Sequence, residues 1–186
     1  MGLIGAAMGS FIGAMAARWP SLDLDFAFGR SRCAVCGTVL GAGEMLPVWT
    51  WLRQGGQCRH CGAAIGWQAL IAELVGSGIA LFAALSLPLP QALVFAVVGW
   101  WLLLLALIDA EHGRLPDVLT LPLVVAGFAA AASAAVAGLP PPLHSLLGAG
   151  LGFALFYVTA RLYAAWRGRE GLGLGDAKLL AALGAW

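Results

Sequence analysis

Charged side chains are scarce in this sequence of 186 residues, and their scarcity decides its class. Lysine and arginine together supply ten residues and aspartate and glutamate nine, so only 10% of the chain is charged. Soluble globular domains carry about 25% charged residues and about 45–50% apolar ones. Here 61% of the residues are hydrophobic. The sequence therefore predicts an integral membrane protein that crosses the bilayer several times, and not a soluble domain.

Motifs of several other functional classes are lacking too. No basic patch is interleaved with aromatic residues, and the net charge of +1 provides no electrostatic surface for nucleic acid. The glycines before Asp176 follow no strand-like run, so they do not form a dinucleotide-binding fingerprint. No serine in the apolar segments has an obvious lysine or histidine partner. We therefore expect neither a nucleic-acid partner nor a nucleophilic serine.

Apolar runs suited to membrane-spanning helices, which need about 20 residues, recur along the chain. The run 2–17 is short, and a removable signal peptide is its alternative interpretation, although Arg18 follows the run and no basic segment precedes it. A last run begins near Asp176 and reaches Trp186 without a polar exit signal. Four candidate spans lie between them, at 67–87, 92–108, 118–137 and 143–163. The expected fold class is an all-α polytopic membrane protein with about six transmembrane helices. We expect the last helix to be incomplete and the chain to be truncated at its C-terminus.

These spans divide the sequence into three parts. Residues 1–17 are expected to form the first transmembrane helix, and residues 67–186 a transmembrane core. Residues 18–66 form the one sizeable polar segment, which is too small to bury a large core of its own. We expect it to be a small loop domain that needs a further source of stability.

The basic residues all fall on one side of the membrane if the spans alternate in direction. The connections at 86–91 and 138–144 carry no lysine or arginine. The other segments hold Arg18, Arg30, Arg32, Arg53, Arg59, Arg114, Arg161, Arg167, Arg169 and Lys178. Because basic loops remain in the cytoplasm, this side is expected to be cytoplasmic and the N-terminus to lie outside.

Four cysteines in the polar segment form two C-x-x-C pairs. Cys33 and Cys36 are separated from Cys58 and Cys61 by 21 residues, and a glycine follows each pair. Two such turns supply the four thiolates of a tetrahedral zinc site, at a spacing close to that of zinc ribbons. Two disulfides are the alternative, but they are rare in the cytoplasm, where the charge pattern places this loop. With four cysteines available, His60 is expected to be exposed and the zinc to be structural.

Two aspartates stand at the ends of apolar runs. Asp109 closes the run 100–108, and Asp176 follows a glycine-rich loop and opens the last run. A carboxylate at or near membrane depth is costly and is by default a candidate for function. Taken singly, Asp109 can be interpreted as a charge at a helix end. Asp176 can be interpreted as a residue at a helix N-terminus, where the helix dipole stabilises a carboxylate. Asp117, after Pro116, fits an N-cap.

Both Asp109 and Asp176 lie on the cytoplasmic side in the expected topology. Two carboxylates that share one proton are the equipment of an aspartic peptidase, in which the ionised one activates water and the neutral one polarises the scissile carbonyl. The cysteines are committed to metal, so no cysteine–histidine pair competes with this interpretation. The sequence predicts peptide hydrolysis by this pair at the membrane face.

Four ordered groups of residues together form a recognisable pattern over nearly the whole chain. They are Gly9-Ser10-Phe11 with Arg18-Trp19-Pro20; the cysteine segment from Arg32 to Gly62 with Glu73-Leu74; Asp109 with Leu115-Pro116-Asp117; and Gly173-Leu174-Gly175-Asp176-Ala177-Lys178. This pattern resembles the bacterial type IV prepilin peptidases, the bifunctional leader peptidase and N-methyltransferase family.

The resemblance implies an activity and its residues. The enzyme would remove the basic leader of type IV prepilins or type II secretion pseudopilins after a glycine, with Asp109 and Asp176 as the catalytic pair. It would also methylate the new N-terminal residue with S-adenosylmethionine. Glu73 is the one residue we name for that cofactor, and the preferred interpretation of Glu73 is still an interfacial charge at a helix start.

Two other functions remain open at this stage. A non-catalytic membrane adaptor would use the zinc loop to dock a partner in pilus or secretion assembly, and it would need the four cysteines but not Asp109. An ion or proton transporter would place ionisable groups near the bilayer midplane. The aspartates lie at the ends of runs, which argues against transport.

Overall fold

The computed structural model describes residues 1–19, 32–33, 35–41, 46–133, 138–168 and 173–186. Pro20, Arg30 and Arg169, and with them part of the predicted loop domain, lie outside the described residues. The described residues contain seven helices and isolated β-bridges, which confirms the all-α prediction. The helices are α1 (Gly2–Arg18), α2 (Trp49–Gln54), α3 (Trp67–Ser86), α4 (Leu89–His112), α5 (Asp117–Ser133), α6 (Pro142–Arg167) and α7 (Leu174–Ala185).

Three of these helices, α3, α4 and α6, are long and apolar enough to cross a membrane. They coincide with the predicted spans 67–87, 92–108 and 143–163, and α4 and α6 extend beyond the predicted ends. Among the described helices, α1 and α5 are apolar but have only 17 residues each, and α7 has 12. Among the described residues, three of the six predicted transmembrane helices are therefore long enough to cross a membrane.

The chain forms two compact units, Met1–Glu111 and His112–Trp186. The first unit contains α1 to α3 and all but the last residue of α4, and the second contains α5 to α7. The predicted domain boundary at 66–67 falls inside the first unit and stays a prediction.

Glycine allows α1 and α3 to approach each other closely in the first unit. Gly5 and Gly9 of α1 face Ala72 and Gly76 of α3, and a Cβ at Gly9 would overlap the Ala72 carbonyl group. The helices are also joined by the hydroxyl of Ser77, which donates to the Gly2 carbonyl oxygen at 3.0 Å. Since lipid provides no hydrophobic force between helices, this close packing of small residues is the source of their association.

The substitution Gly76→Ala is expected to destabilise the first unit by about 1–3 kcal/mol, the usual effect of overpacking. The new Cβ would stand 2.6 Å from the Gly5 carbonyl oxygen and 2.8 Å from Gly9 Cα, both rigid backbone atoms. Gly78→Ala is the matched control, because a Cβ there meets nothing within 4 Å, and helix propensity favours alanine by about 1 kcal/mol. The unfolding midpoint in mixed micelles measures both, and equal midpoints would contradict the packing.

Small residues and one indole hydrogen bond join α3 to α4. Ala83 of α3 packs with Ala92 and Ala96 of α4 in a buried cluster. Trp100 of α4 donates its Nε1–H to the Gly76 carbonyl oxygen at 3.0 Å. Gly76 is therefore contacted from both neighbouring helices, and the close approach of α1 leaves no room there for a side chain.

The second unit is built on the same principle. A Cβ at Gly148 of α6 would overlap the backbone of Gly184 in α7, so these helices are in backbone contact. Trp186 donates its Nε1–H to the Leu123 carbonyl oxygen of α5 at 3.0 Å. Proline at position 122 lacks the N–H that would bond the carbonyl group one helical turn earlier. The helix nevertheless continues through this position to Ser133.

Candidate functional site

The four predicted metal ligands converge in the first unit. The sulfur atoms of Cys33, Cys36, Cys58 and Cys61 all lie within 4.8 Å of one another. Cys33 Sγ and Cys61 Sγ are 3.8 Å apart, close to the edge of a tetrahedron with metal–sulfur bonds of about 2.3 Å. All four thiols are free, so the alternative of two disulfides is not formed. The cluster can hold one metal ion.

Both cysteine turns are built in the same way. In each, the first cysteine donates its backbone N–H to the residue five positions later, Cys33 to Thr38 and Cys58 to Ala63. The glycine four positions after it donates back to the carbonyl oxygen of the same cysteine and has a positive φ. A β-bridge closes each turn, Arg32 with Val39 and Gln57 with Ala64. The spacing predicts two C-x-x-C turns, and the structure shows that both aim their sulfurs at one point.

Local hydrogen bonds and neighbouring sulfurs shift the pKa values of Cys36, Cys58 and Cys61 in different directions. The hydroxyl and backbone N–H of Thr38 lower the pKa of Cys36 to about 6. The backbone N–H groups of His60 and Cys61 lower the pKa of Cys58. The backbone N–H of Ala63 also favours the Cys61 thiolate, but desolvation and the neighbouring sulfurs outweigh it and raise the pKa of Cys61 to about 11. A metal ion would remove this repulsion and hold all four residues as thiolates.

The carboxylate of Glu73 is buried in the first unit, with 8% of the residue exposed. Its Oε2 accepts the backbone N–H of Val48 at 2.6 Å. Val48 has φ 62°, a left-handed conformation that is strained for a β-branched side chain. The contact ties α3 to the segment before α2 and holds it in this conformation. The interpretation of Glu73 as an interfacial charge omits this role, because a contact across 25 residues leaves no local pattern.

A cavity of about 540 Å³ lies in the first unit where helices meet the cysteine loop. Its walls come from α1, α2, α3, the end of α4 and residues flanking both cysteine turns. The charged lining residues are Arg18, Arg32, Glu73 and Glu111, and Phe11 and Trp51 are among the aromatic ones. Trp51 is held by a hydrogen bond from Nε1 to the Ile65 carbonyl oxygen at 3.4 Å. No sequence pattern predicts this cavity.

The two predicted catalytic carboxylates lie in different units. Asp109 is exposed in the last turn of α4, in the first unit, two residues before Glu111 of the cavity wall. Asp176 is half-buried in the first turn of α7, in the second unit. Each thus stands at the end of an apolar helix, as expected. Their pairing stays a prediction.

Asp117 is the first residue of α5, and its carboxylate has a partner beyond its own helix. Lys178 of α7 donates to both carboxylate oxygens, each at 2.7 Å. This ion pair joins the start of α5 to the helix that carries Asp176. It gives Lys178 a structural role that sequence spacing does not reveal, since 61 residues separate the partners.

Removal of this ion pair is expected to change the free energy of unfolding only slightly. The side chains of Lys178 and Asp117 are 32% and 53% exposed, and exposed pairs contribute about 0–1 kcal/mol. A double-mutant cycle with Lys178→Met and Asp117→Asn should therefore give a coupling below about 1 kcal/mol in mixed-micelle unfolding. A coupling of several kcal/mol would mean that the pair is shielded from solvent.

Two family models match the chain in succession. The bacterial peptidase A24 N-terminal domain matches residues 3–87, which contain the cysteine cluster and Glu73. The type IV leader peptidase family matches residues 96–186, which contain Asp109, Asp117 and Asp176. No solved structure matches the chain.

Curated relatives support both matches. A prepilin leader peptidase/N-methyltransferase of Dichelobacter nodosus is 42% identical over 84% of this chain and 54% of its own length. Proteins with the same name from Burkholderia pseudomallei and Myxococcus xanthus are 40% and 37% identical, over 84% and 99% of this chain and 50% and 54% of their own lengths. The chain thus spans about half the length of the curated relatives it matches. By these two successive matches and these relatives, the chain belongs to the type IV leader peptidase family.

Proposed function

We propose that the protein is a membrane-embedded aspartic endopeptidase that removes the leader peptide of type IV prepilins or type II secretion pseudopilins. Its curated relatives are named for prepilin leader cleavage and N-methylation. The observation that carries the proposal is the placement of Asp109 in the last turn of α4 and of Asp176 in the first turn of α7.

The proposed chemistry needs these two carboxylates in different protonation states. The ionised one takes a proton from water as the water oxygen attacks the scissile carbonyl carbon, and the neutral one donates a hydrogen bond to the carbonyl oxygen. Collapse of the tetrahedral intermediate breaks the C–N bond and passes a proton to the leaving amine. The newly formed carboxylate becomes the C-terminus of the released leader, and the mature protein gains a free N-terminal amine.

In the proposed function, the cysteine cluster holds one structural zinc ion. Four thiolates close the coordination sphere and leave no position for a reactive water, so zinc would stabilise the loop and take no part in hydrolysis. The cluster geometry supports this assignment, because both turns present their sulfurs to one point.

The proposed enzyme acts at the cytoplasmic face of the inner membrane, with the zinc loop and both aspartates on that face and the N-terminus outside. The charge distribution supports this orientation, since basic residues flank α1 and α6 at their C-terminal ends. Membrane lipid surrounds the apolar helices, and the prepilin or pseudopilin substrate is cut at that face. No nucleic acid takes part.

The second proposed activity is N-methylation of the new N-terminus with S-adenosylmethionine as methyl donor. The name of the curated relatives supports it. Glu73, which lies in the matched N-terminal domain, is the proposed cofactor-binding residue.

Incubation of purified prepilin with the detergent-solubilised protein tests the peptidase proposal. The expected result is a mobility shift equal to loss of the leader, with mass spectrometry locating the cut after the leader's last glycine. Intact prepilin in the presence of folded, zinc-loaded protein would contradict it. In that case, copurification of a pilus or secretion protein with both the unsubstituted protein and the Asp109→Asn variant would favour the non-catalytic adaptor.

A further inference from the structure

Two large apolar side chains are exposed on one face of α2, the six-residue helix that follows the first cysteine turn. Trp49 is 62% exposed and Leu52 is 61% exposed. They stand three positions apart, which places them on the same side of a helix. Isolated apolar residues are common on protein surfaces, whereas a tryptophan beside a leucine on so short a helix indicates a contact surface.

The opposite face of α2 is turned towards the protein. Thr50 and Trp51 are half-buried and line the cavity of the first unit. Trp51 also donates its Nε1–H to the Ile65 carbonyl oxygen. The helix therefore has one face in the cavity wall and one face that is largely exposed.

Two hydrogen bonds fix the level of α2 along α3. Trp51 is bonded to Ile65, which lies two residues before α3 begins, and the backbone N–H of Val48 is bonded to Glu73 in the second turn of α3. At a rise of about 1.5 Å per residue, Glu73 lies about 9 Å from the start of that helix. The short helix α2 therefore lies beside the first two turns of α3.

The length of α3 relates this level to the bilayer. This helix has 20 residues and is apolar enough to cross a membrane, and at about 1.5 Å per residue its length matches the hydrocarbon core of about 30 Å. Its first residue, Trp67, is 66% exposed, and tryptophan is enriched where a membrane meets water. The start of α3, and α2 beside it, are thus placed at the boundary between lipid headgroups and acyl chains.

We propose that Trp49 and Leu52 form a lipid-contact surface, which lays α2 in the membrane interface while its other face closes the cavity. Amphipathic helices at this boundary bury their apolar face to a depth of about 5–10 Å, which matches the level set by the bond between Val48 and Glu73. Arg53, exposed beside Leu52, can place its stem on the apolar surface and its guanidinium among the headgroups. The placement requires that α3 crosses the membrane, and it does not depend on the peptidase or methyltransferase activity.

Photo-crosslinking of the zinc-loaded chain in phosphatidylcholine nanodiscs tests this surface. The photoreactive residue p-benzoylphenylalanine, which bonds only to C–H groups that it touches, is incorporated in place of Trp49, Trp51 or Trp67 in separate samples. Mass spectrometry then detects covalent phospholipid adducts. We expect adducts at position 49, on the outer face of α2, and at position 67, at the start of α3.

Position 51 is the matched control, because it receives the same aromatic replacement two residues away on the cavity face of the same helix. We expect little or no phospholipid adduct there. Zinc content measures folding of the cysteine loop in each sample.

A second measurement uses ordinary side chains. The double variant Trp49→Gln, Leu52→Gln removes the apolar face, and glutamine retains good helix propensity. In nanodiscs it is expected to speed tryptic cleavage after Arg53 by about tenfold or more, because two large side chains lose their lipid contact. Val35→Gln is the control, since it removes an exposed apolar side chain from the first cysteine turn, and it is expected to leave that rate unchanged.

Several results would overturn the lipid contact. Adducts at position 67 without adducts at 49 would mean that this face of α2 is in water, and a crosslink from position 49 to a second copy of the chain would identify a protein interface instead. Equal adducts at 49 and 51 would contradict the orientation of α2. Absence of adducts at both 49 and 67 would place the start of α3 outside the bilayer, and an unchanged cleavage rate in the double variant would show that lipid does not protect the helix.

Discussion

Replacement of either Asp109 or Asp176 by asparagine is expected to abolish cleavage of prepilin. Asparagine has nearly the shape of aspartate but can neither accept a proton from water nor share one with a second carboxylate. Loss of general acid–base catalysis lowers rates by about 10²–10⁴-fold. In the proposed mechanism the two groups act as a unit, so the double variant is expected to be little worse than either single one.

The measurement is the rate of the mobility shift of a purified prepilin, with wild type and variants at equal zinc content. Asp117→Asn is the matched control, since it makes the same change at the carboxylate that pairs with Lys178, and it is expected to lose at most a few-fold in rate. Retained cleavage by both single variants would refute the aspartic mechanism. If only one of the two single variants lost cleavage, the carboxylate replaced in that variant would act with a group other than the second aspartate.

Replacement of Cys58 by serine is expected to remove the proposed zinc ion and unfold the cysteine loop. Cys58 is the buried member of the cluster, at 6% exposure, and its sulfur lies within 4.8 Å of the other three. Structural zinc supplies about 10–16 kcal/mol in isolated zinc-finger peptides, and the segment has little core of its own. We therefore expect zinc to fall from one ion per chain to a small fraction, with rapid proteolysis in the loop.

Metal analysis of the purified protein and limited proteolysis in detergent measure these two effects. His60→Ala is the matched control, because His60 is exposed between Cys58 and Cys61 and lies outside the thiol cluster. It is expected to retain the metal. Full zinc content in Cys58→Ser, or its loss in His60→Ala, would show that the ligands differ from the four cysteines.

The local features of this fold could be predicted from the sequence alone. Apolar runs located α3, α4 and α6, because a spanning helix must satisfy its own backbone hydrogen bonds and so needs a long uninterrupted run. The C-x-x-C spacing predicted one site for four sulfurs, because each turn fixes its own pair by local hydrogen bonds and a tetrahedral metal site needs two such pairs. The short first helix was also predicted, since the run 2–17 forms Gly2–Arg18, whereas a spanning length for the run 118–137 is not found among the described residues, where α5 ends at Ser133.

Contacts between distant segments depend on the tertiary structure. The ion pair of Lys178 with Asp117 and the hydrogen bond of Glu73 with Val48 join residues 61 and 25 positions apart. Neither pair has a spacing rule, because a helix places neighbours only three or four residues apart. The interpretation of Asp117 as an N-cap rested on its position before a helix. Its partner Lys178 is brought to it only by the packing of α5 against α7.

By itself, the sequence determined the membrane class, the cysteine cluster and the aspartates at the ends of apolar helices, since each follows from composition or from short-range geometry. Only the tertiary structure decided how closely α1 and α3 pack through Gly9 and Gly76, and only it formed the cavity between the helices and the cysteine loop. The physical reason is that a cavity is the space that several separate segments leave unfilled, and its volume and charge exist only after those segments have packed.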